Sequence, residues 1–542
     1  MNVEELNVPM DVESVDVFAS IEDYFCVQAF LSNISQPTMF LLDPQEFLDS
    51  FFTEPADLRL TMCAVSAALQ TPRLPRTVCD NYYKRAMTAF SRSLDNPTLK
   101  TLQALMLMNT YVTMNGQPHL ARNNFFTAVT FVEKLSLDVD PDDLELRTGV
   151  PIPPKEKYER RYWYHVMKYY LKIIKAVHSR NVLLDFRKGG PFVEFISHSV
   201  KLPVHPDSGV INDIYYAANI QELVSKAAAL HKSMPMSIVD IIDSQPAALL
   251  RANLTALQLE TPRGLIIHTP ADLYVATTTY TPCNLVASLL ASLHFHTVPC
   301  LLHRAKLYLT AFLPIDSAHL QRTGARETTL RALCDSVQSA RMIAALNSWM
   351  ALSAPPGLRK VFWRNHIFPC FCLFEAAVVL WFVTCKTREE WLAAAGDVGG
   401  LEWRREVRSG VMDVGRTLEE LEGLLAGGPG GSENMMSPLV QCVLGMVAEM
   451  EKVEEAVSKG EGIPPVAVAG VGACSWEAGV NFVALGMKVM SIVEDDRVKP
   501  FVSDPWTFLG LMGVPVGGNL VWKAYYEDEW SFFWELVVNG RM

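Results

Sequence analysis

The sequence lacks the cysteine pairs that build zinc modules and disulfide scaffolds. Its 11 cysteines are scattered from Cys26 to Cys474, and no C-x-x-C pair occurs among them. Zinc modules hold their metal with closely spaced cysteines, and disulfide frameworks stabilise small secreted domains, whereas this chain has 542 residues. The scatter is typical of reduced, mostly buried thiols in an intracellular protein.

Positive charge is absent from the beginning of the chain. The first 57 residues contain twelve Asp or Glu, one cysteine and no Lys or Arg. A secretory signal peptide needs a positively charged start, so we expect none here. The formal net charge of −12 argues against a protein that coats nucleic acid or an anionic membrane through its overall field.

Long apolar runs are scarce, and the nearest approach to a membrane span is residues 367–385. A span needs about 20 apolar residues. Glu375 lies near the middle of this run, where a charge costs roughly 2.5 kcal/mol or more. We therefore predict a helix buried in protein and no membrane partner.

Alternating strand patterns are also missing. Helical periodicity dominates from about residue 40 to 385, with apolar residues three and four apart in 58–69, 99–112 and 122–135. Half of the residues are hydrophobic and 20% are charged, as in globular proteins. The sequence therefore predicts an all-α fold, a multi-helix array of packed antiparallel helices.

Composition divides the chain into segments. A glycine-rich stretch at 424–437 is typical of a flexible linker. The predicted organisation is an acidic N-terminal segment at 1–35, a helical middle domain at 36–423, this linker, C-terminal helices at 438–495 and an acidic-aromatic tail at 496–542.

The stretch RRYWYHVMKYYL, residues 160–171, combines aromatic and basic residues. At helical spacing, one side carries apolar side chains and the other basic ones. The apolar side holds Trp163, Val166, Met167, Tyr170, Ile174 and Val177, and the basic side holds Arg161, His165, Lys168, Lys172 and Lys175. A nucleic-acid surface with stacking aromatics is one interpretation. We favour a core helix with a solvated basic face, because Trp163 lies on the apolar side.

Two histidines and a cysteine are spaced so that they could bind a metal ion. His296, Cys300 and His303 lie at i, i+4 and i+7, so a helix would present them together, as zinc ligands can be. However, Pro299 interrupts that turn, and His294 faces elsewhere. We therefore predict no metal ligands.

Enzyme motifs are incomplete. Gly470-x-Gly472 begins a dinucleotide fingerprint, but Ser475 replaces its third glycine and no parallel strands surround it. Asp213 and Asp142 begin acidic clusters like those that hold magnesium in terpene synthases, but the further carboxylates are missing. We predict no catalytic residue and no cofactor. A terpene-synthase-like helical enzyme acting on an apolar small molecule remains an alternative.

Residues from about 40 to 385 resemble the middle homology region of fungal-specific transcription factors. Four blocks occur in the family's order: 58–69, then 82–90 with 99–140, then 160–171, then 295–304. The matching residues in the last two blocks include Arg160, Arg161, Trp163, His296, His303 and Arg304. The resemblance implies that these six residues are structural.

The resemblance implies a non-enzymatic transcription regulator in the nucleus, one that controls a metabolic or secondary-metabolite gene cluster. The chain departs from the family at Tyr170, Leu171 and Asn181, and it lacks the six-cysteine zinc cluster that reads DNA. DNA contact is therefore expected only indirectly, through a DNA-binding regulator, or through an N-terminal zinc-cluster domain that this sequence does not include. The transcription machinery is a further expected partner, and a homodimer or heterodimer is the expected assembly. A helical adaptor unconnected with transcription is the other alternative.

The tail mixes aromatic and acidic residues. Its candidate activation residues are Trp506, Trp530, Phe532, Phe533 and Trp534. Acidic residues that keep aromatics solvated are the composition of activation segments, and similar tails close many members of the family. A tail docked on the helical core through the same aromatics is equally compatible with the sequence. Both states in turn would form an autoinhibitory switch.

Overall fold

The computed structural model describes most of the chain. The described residues are 18–31, 44–70, 74–114, 118–177, 200–205, 213–321, 324–355, 358–359, 362, 369–396, 398–425, 437–461, 510–517 and 527–541. Within these ranges the protein consists of helices packed together, and no strand occurs. The predicted all-α, multi-helix class is confirmed.

Up to residue 177 the described residues form helices α1 to α8. Their bounds are α1 Ile21–Leu31, α2 Pro44–Ser50, α3 Ala56–Leu69, α4 Arg76–Ser93, α5 Leu99–Met114, α6 Pro118–Lys134, α7 Pro141–Thr148 and α8 Pro154–Val177.

From residue 213 onward the described residues form helices α9 to α20. Their bounds are α9 Ile214–Leu230, α10 Ile238–Ile242, α11 Gln245–Glu260, α12 Pro270–Thr279, α13 Pro282–Leu302, α14 Arg304–Phe312, α15 Ala325–Leu352, α16 Pro369–Cys385, α17 Glu389–Ala394, α18 Leu401–Leu425, α19 Ser437–Ser458 and α20 Glu527–Val538. A short 3-10 helix, Ala318–Leu320, lies between α14 and α15.

The chain divides into two compact units, and the boundary falls inside α8, between Tyr164 and His165. Val200 and Lys201 belong to the first unit. The middle domain predicted at 36–423 therefore contains parts of both units. The predicted linker at 424–437 lies, except for its ends, outside the described residues.

In the first unit, α3 is the central helix and packs against α1, α4 and α5. Its sequence contains no internal glycine or proline, and nearly all of its residues are buried. The guanidinium of buried Arg59 donates from Nη1 to the backbone oxygen of Glu54, at 2.9 Å. This hydrogen bond partly replaces the water that burial removes. A helix that is buried on nearly all sides is expected at the centre of a helical core.

Several helices of the second unit begin with side chains that satisfy the first backbone N–H groups. Thr269 and Asp272 form a reciprocal capping box at the start of α12. Ser244 accepts from the backbone N–H of Ala247 at the start of α11. Proline at the first helical position, as in α12 and α13, or at the second, as in α11, removes an N–H that would otherwise have no partner.

Helices α13, α15, α16, α18 and α19 form the core of the second unit. All 17 residues of α16 are buried, which agrees with the prediction of a helix enclosed by protein. By length and composition one helix in the described ranges, at Asn284–Leu302, is apolar enough to cross a membrane, and 94% of its apolar window lies inside the protein. Pro299 does not end α13, which continues to Leu302.

Candidate functional site

The two arginines at the start of the basic-aromatic stretch are bound inside the first unit. Arg161 donates to both carboxylate oxygens of Asp140, at 3.1 and 2.8 Å, and to Asp142 at 2.7 Å. Arg160 donates to the backbone oxygen of Leu135. Trp163 is buried. All three residues therefore make structural contacts.

Asp142 is the centre of this charged cluster. It accepts from Lys157 at 2.9 Å and from Lys201 at 2.7 Å, in addition to Arg161. The hydrogen bonds from Lys201 and Lys157 hold the pKa of Asp142 well below its usual range. The cluster joins α7, α8 and residue 201, and its charges are balanced within the unit.

The prediction of a solvated basic face is wrong for the described side chains of α8. His165 and Lys172 are buried, and the Lys168 and Lys172 ammonium groups lie 3.7 and 3.6 Å from the Glu222 carboxylate. Burial raises the pKa of Glu222, but the hydrogen bond from Lys226 and the two α8 lysines outweigh it and bring the pKa to about 2. These charges are paired within the second unit, so they do not form a surface for nucleic acid.

The histidines of the fourth block are packed in the core of the second unit. His296 Nε2 donates to the backbone oxygen of Ile267 at 2.8 Å. His303 Nε2 lies 3.7 Å from the Asp335 carboxylate. Burial lowers the pKa of His296 to about 4 and that of His303 to about 3, so both are neutral near pH 7. In the described part of the chain, no three His, Cys, Asp or Glu side chains come together as metal ligands would.

Arg304 forms a buried ion pair that the sequence pattern does not reveal. Its guanidinium is 0% exposed and contacts Glu375 of α16, which is also 0% exposed. Nη1 of Arg304 lies 3.3 Å from the backbone oxygen of Gly510, to which it donates. The pair therefore connects α14 and α16 with the C-terminal part of the chain. Its only signal in the sequence is a single acid inside an apolar run.

The segment 510–517 and helix α20 form what we call the docked C-terminal segment. Glu449 of α19 accepts from the Gly517 backbone N–H and from Trp381 Nε1, each at 2.8 Å. Together with the contact between Arg304 and Gly510, this fixes both ends of 510–517 on the core of the second unit.

The aromatic residues of α20 dock on the same core. Trp534 stacks on Phe312 of α14, with ring centroids 4.8 Å apart. Trp530 Nε1 donates to the backbone oxygen of His231 at 3.0 Å, and Trp534 Nε1 donates to that of Met512 at 2.9 Å. Both indole groups are therefore buried with their polar atoms satisfied.

The candidate activation residues of the tail differ in how far they are exposed to solvent. Trp530, Phe533 and Trp534 are at most 2% exposed, whereas Phe532 is 41% exposed. Trp506 lies outside the described residues. For the described tail residues 510–517 and 527–541, docking on the core is the arrangement in the structure. Each fully buried aromatic contributes about 1.5–3 kcal/mol, so release of α20 requires a substantial opposing interaction. The role as an activation segment stays a prediction.

A glycine turn brings α20 against residues 510–517. Gly513 has φ +76°, and a Cβ there would lie 2.3 Å from the Ser531 backbone nitrogen. Ser531 Oγ donates to the Gly513 backbone oxygen at 3.2 Å. Only glycine combines this left-handed backbone with so close an approach.

We expect Gly513→Ala to destabilise the docked C-terminal segment. The left-handed backbone costs about 1–2 kcal/mol, and the clash with Ser531 adds to that. Urea unfolding followed by tryptophan fluorescence measures the change. Gly517→Ala is the matched control, because Gly517 has φ +58° and nothing lies within 4 Å of its Cβ position. Equal effects of the two substitutions would show that the close approach at Gly513 is unimportant.

In comparisons with known proteins, no family model, no curated protein and no solved structure matches the chain.

Proposed function

We propose that this protein is a fungal-type transcription regulator whose helical body is a regulatory and interaction domain. The proposal is supported by the resemblance of four ordered blocks to the middle homology region. In the structure these blocks fall on helices of an all-α body: 58–69 on α3, 82–90 on α4, 160–171 on α8 and 295–304 on α13 and α14. The order of these blocks, each on a helix that contributes buried residues, is the observation that carries the proposal.

The proposal includes a nuclear location and no enzymatic activity or cofactor. DNA contact comes from a separate DNA-binding regulator, for which this chain is a co-regulator. The chain acts as a homodimer or as a heterodimer. The targets are the genes of a metabolic or secondary-metabolite cluster. The internal pairing of the charges on α8 supports indirect DNA contact, because Arg161, Lys168 and Lys172 are already bound to carboxylates.

The C-terminal tail is the proposed effector segment. Its acidic and aromatic composition suits recruitment of the transcription machinery, and its aromatics are the groups that a recruited protein would contact. Because Trp530, Phe533 and Trp534 are buried, we propose that the docked state is the inactive one.

A reporter assay tests this function. An unrelated DNA-binding domain is fused to three proteins: the full chain, the chain truncated before Asp504, and residues 504–542 alone. We expect the isolated tail to activate most strongly, the full chain several-fold less, and the truncated chain not at all. Gly513→Ala in the full chain is expected to raise activation towards that of the isolated tail.

Two outcomes contradict the proposal. An intact, nuclear fusion whose isolated tail is also silent argues against an activation segment. Exclusion of the unfused chain from the nucleus favours the helical adaptor instead.

A further inference from the structure

An exposed apolar surface lies on the first unit, where α1 packs against α2. It consists of Phe18, Ile21, Phe25 and Phe52, which are 80%, 65%, 58% and 55% exposed, and we call it the aromatic patch. Single exposed apolar side chains are ordinary, whereas neighbouring ones mark interaction sites.

Tyr24 connects the patch residues of α1 with Phe52, which lies two residues beyond the end of α2. Ile21 and Phe25 are four residues apart on α1 and share one face. The Tyr24 ring stacks on Phe52 at 5.5 Å and lies 5.9 Å from Phe25, so both phenylalanines border the same tyrosine. Tyr24 also meets buried Phe51 edge-on at 5.5 Å, which fixes the base of the patch.

Helix α1 is held in place by its other side. Asp23 and Ser20 satisfy each other's backbone N–H groups at its start, at 3.2 and 3.0 Å. Val27 and Phe30 are buried. The helix therefore has one apolar face turned into the unit and a second, the patch, turned outward. If α1 rotated about its axis to bury Ile21 and Phe25, it would expose Val27 and Phe30, so the helix cannot bury both apolar faces in the unit.

The charged residues on α1 and α2 are all acidic. Glu22, Glu46 and Asp49 are exposed on the same two helices. Glu46 pairs with Lys155 at 2.6 Å. No Lys or Arg occurs in the chain before Arg59. This acidic border disfavours an anionic membrane or a nucleic acid, because both carry the same sign of charge.

We propose that the aromatic patch binds an amphipathic helix of a partner protein, one whose apolar stripe is bordered by Lys or Arg. The stripe packs on Phe25, Phe52 and Ile21, and the basic border faces Glu22 and Asp49. This inference does not depend on the proposed role in transcription. It concerns the first unit, whereas the proposed effector segment belongs to the second.

The test uses a helical peptide of about 18 residues with leucine at i, i+3, i+4 and i+7 and lysine on both borders. A second peptide carries glutamate in place of lysine. Binding of each labelled peptide to the full chain is measured by fluorescence anisotropy. We expect the lysine peptide to bind at least about tenfold more tightly than the glutamate peptide, and less tightly as salt is raised.

Two substitutions assign the binding to the patch. Phe25→Asp is expected to weaken binding of the lysine peptide by about tenfold or more, since interface aromatics dominate such contacts. Leu259→Asp makes the same charge change at a leucine that is 82% exposed on α11 of the other unit, and it is expected to leave binding unchanged. If Phe25→Asp lowers the helix content, Ile21→Asp serves in its place.

Three results would overturn the proposal. The first is equal binding of the two peptides, and the second is equal loss from Phe25→Asp and Leu259→Asp. The third is a dimer of the full chain in sedimentation that Phe25→Asp dissociates, because a second copy of the chain would then occupy the patch.

Discussion

Alanine in place of Glu375 is expected to lower the free energy of unfolding by about 3–5 kcal/mol, because it leaves the Arg304 guanidinium charged and unpaired inside the protein. Neither side chain is exposed, and burial of an isolated charge is among the most costly changes that a core can undergo. Urea unfolding at pH 7, followed by tryptophan fluorescence, measures the loss.

A surface pair provides the matched control. Glu406 contacts Arg341 at 2.6 Å, but both side chains are largely solvated. Glu406→Ala is therefore expected to cost less than about 1 kcal/mol. If Glu375→Ala costs no more than Glu406→Ala, the buried pair does not hold the core together.

A double substitution separates the charge from the packing. Arg304 Nε and Glu375 Oε1 find no hydrogen-bond partner among the described residues. Replacing both residues together, as Arg304→Met with Glu375→Leu, is expected to recover most of the stability lost in Glu375→Ala. Recovery would show that the loss comes from the unpaired charge.

Acidification from pH 6.5 to pH 4.5 is expected to unfold the protein through four buried histidines. Burial lowers the pKa of His231, His294 and His296 to about 4 and that of His303 to about 3. In the unfolded chain a histidine has a pKa of about 6.5, so in this window the unfolded state binds more protons and stability falls with pH.

The expected slope is steep. Each fully shifted histidine changes the free energy of unfolding by about 1.4 kcal/mol per pH unit, so four reach on the order of 5 kcal/mol per unit. Between pH 7 and pH 5 the four groups together remove about 7 kcal/mol, which is comparable with a typical total stability of about 5–15 kcal/mol. Acids with lowered pKa values, such as Glu222, lose their contribution only at lower pH.

Unfolding free energies measured in urea at intervals from pH 7.5 to pH 4.5 give this slope. His296→Gln keeps a side-chain donor for the Ile267 carbonyl but cannot titrate, so it is expected to reduce the slope by about a quarter. Exposed His319 is the control, and His319→Gln is expected to leave the slope unchanged. A stability that stays constant from pH 7 to pH 5 would contradict this prediction.

The fold class follows from the sequence because helical signals are local. Apolar residues three and four apart predicted the helices of the middle region, and a single acid in an apolar run was enough to favour burial of α16 over a membrane span. Capping residues such as Thr269 lie within a few positions of the groups that they satisfy. All of these interactions connect neighbours along the chain.

The charged contacts depend on the tertiary structure. The same helical spacing that placed Lys168 and Lys172 on one face of α8 gave no sign that Glu222 lies beside them, and a solvated face was the wrong prediction. Arg304 and Glu375 are 71 residues apart in the sequence, and each looks like an isolated charge there. Pairing across such distances is set by how the helices pack, because periodicity along one helix contains no information about its neighbour.

The position of the C-terminal tail shows most clearly what the sequence determines and what the tertiary structure decides. Composition alone determined that its aromatic and acidic residues lie together, and it left an exposed and a docked tail equally compatible. Only the tertiary structure places Trp530 against the backbone of His231, 299 residues earlier, and Trp534 on Phe312. The physical reason is that an indole group is stable either in solvent or in a matching apolar site with a carbonyl acceptor, and whether that site exists is decided by helices α9 and α14, far away in the sequence.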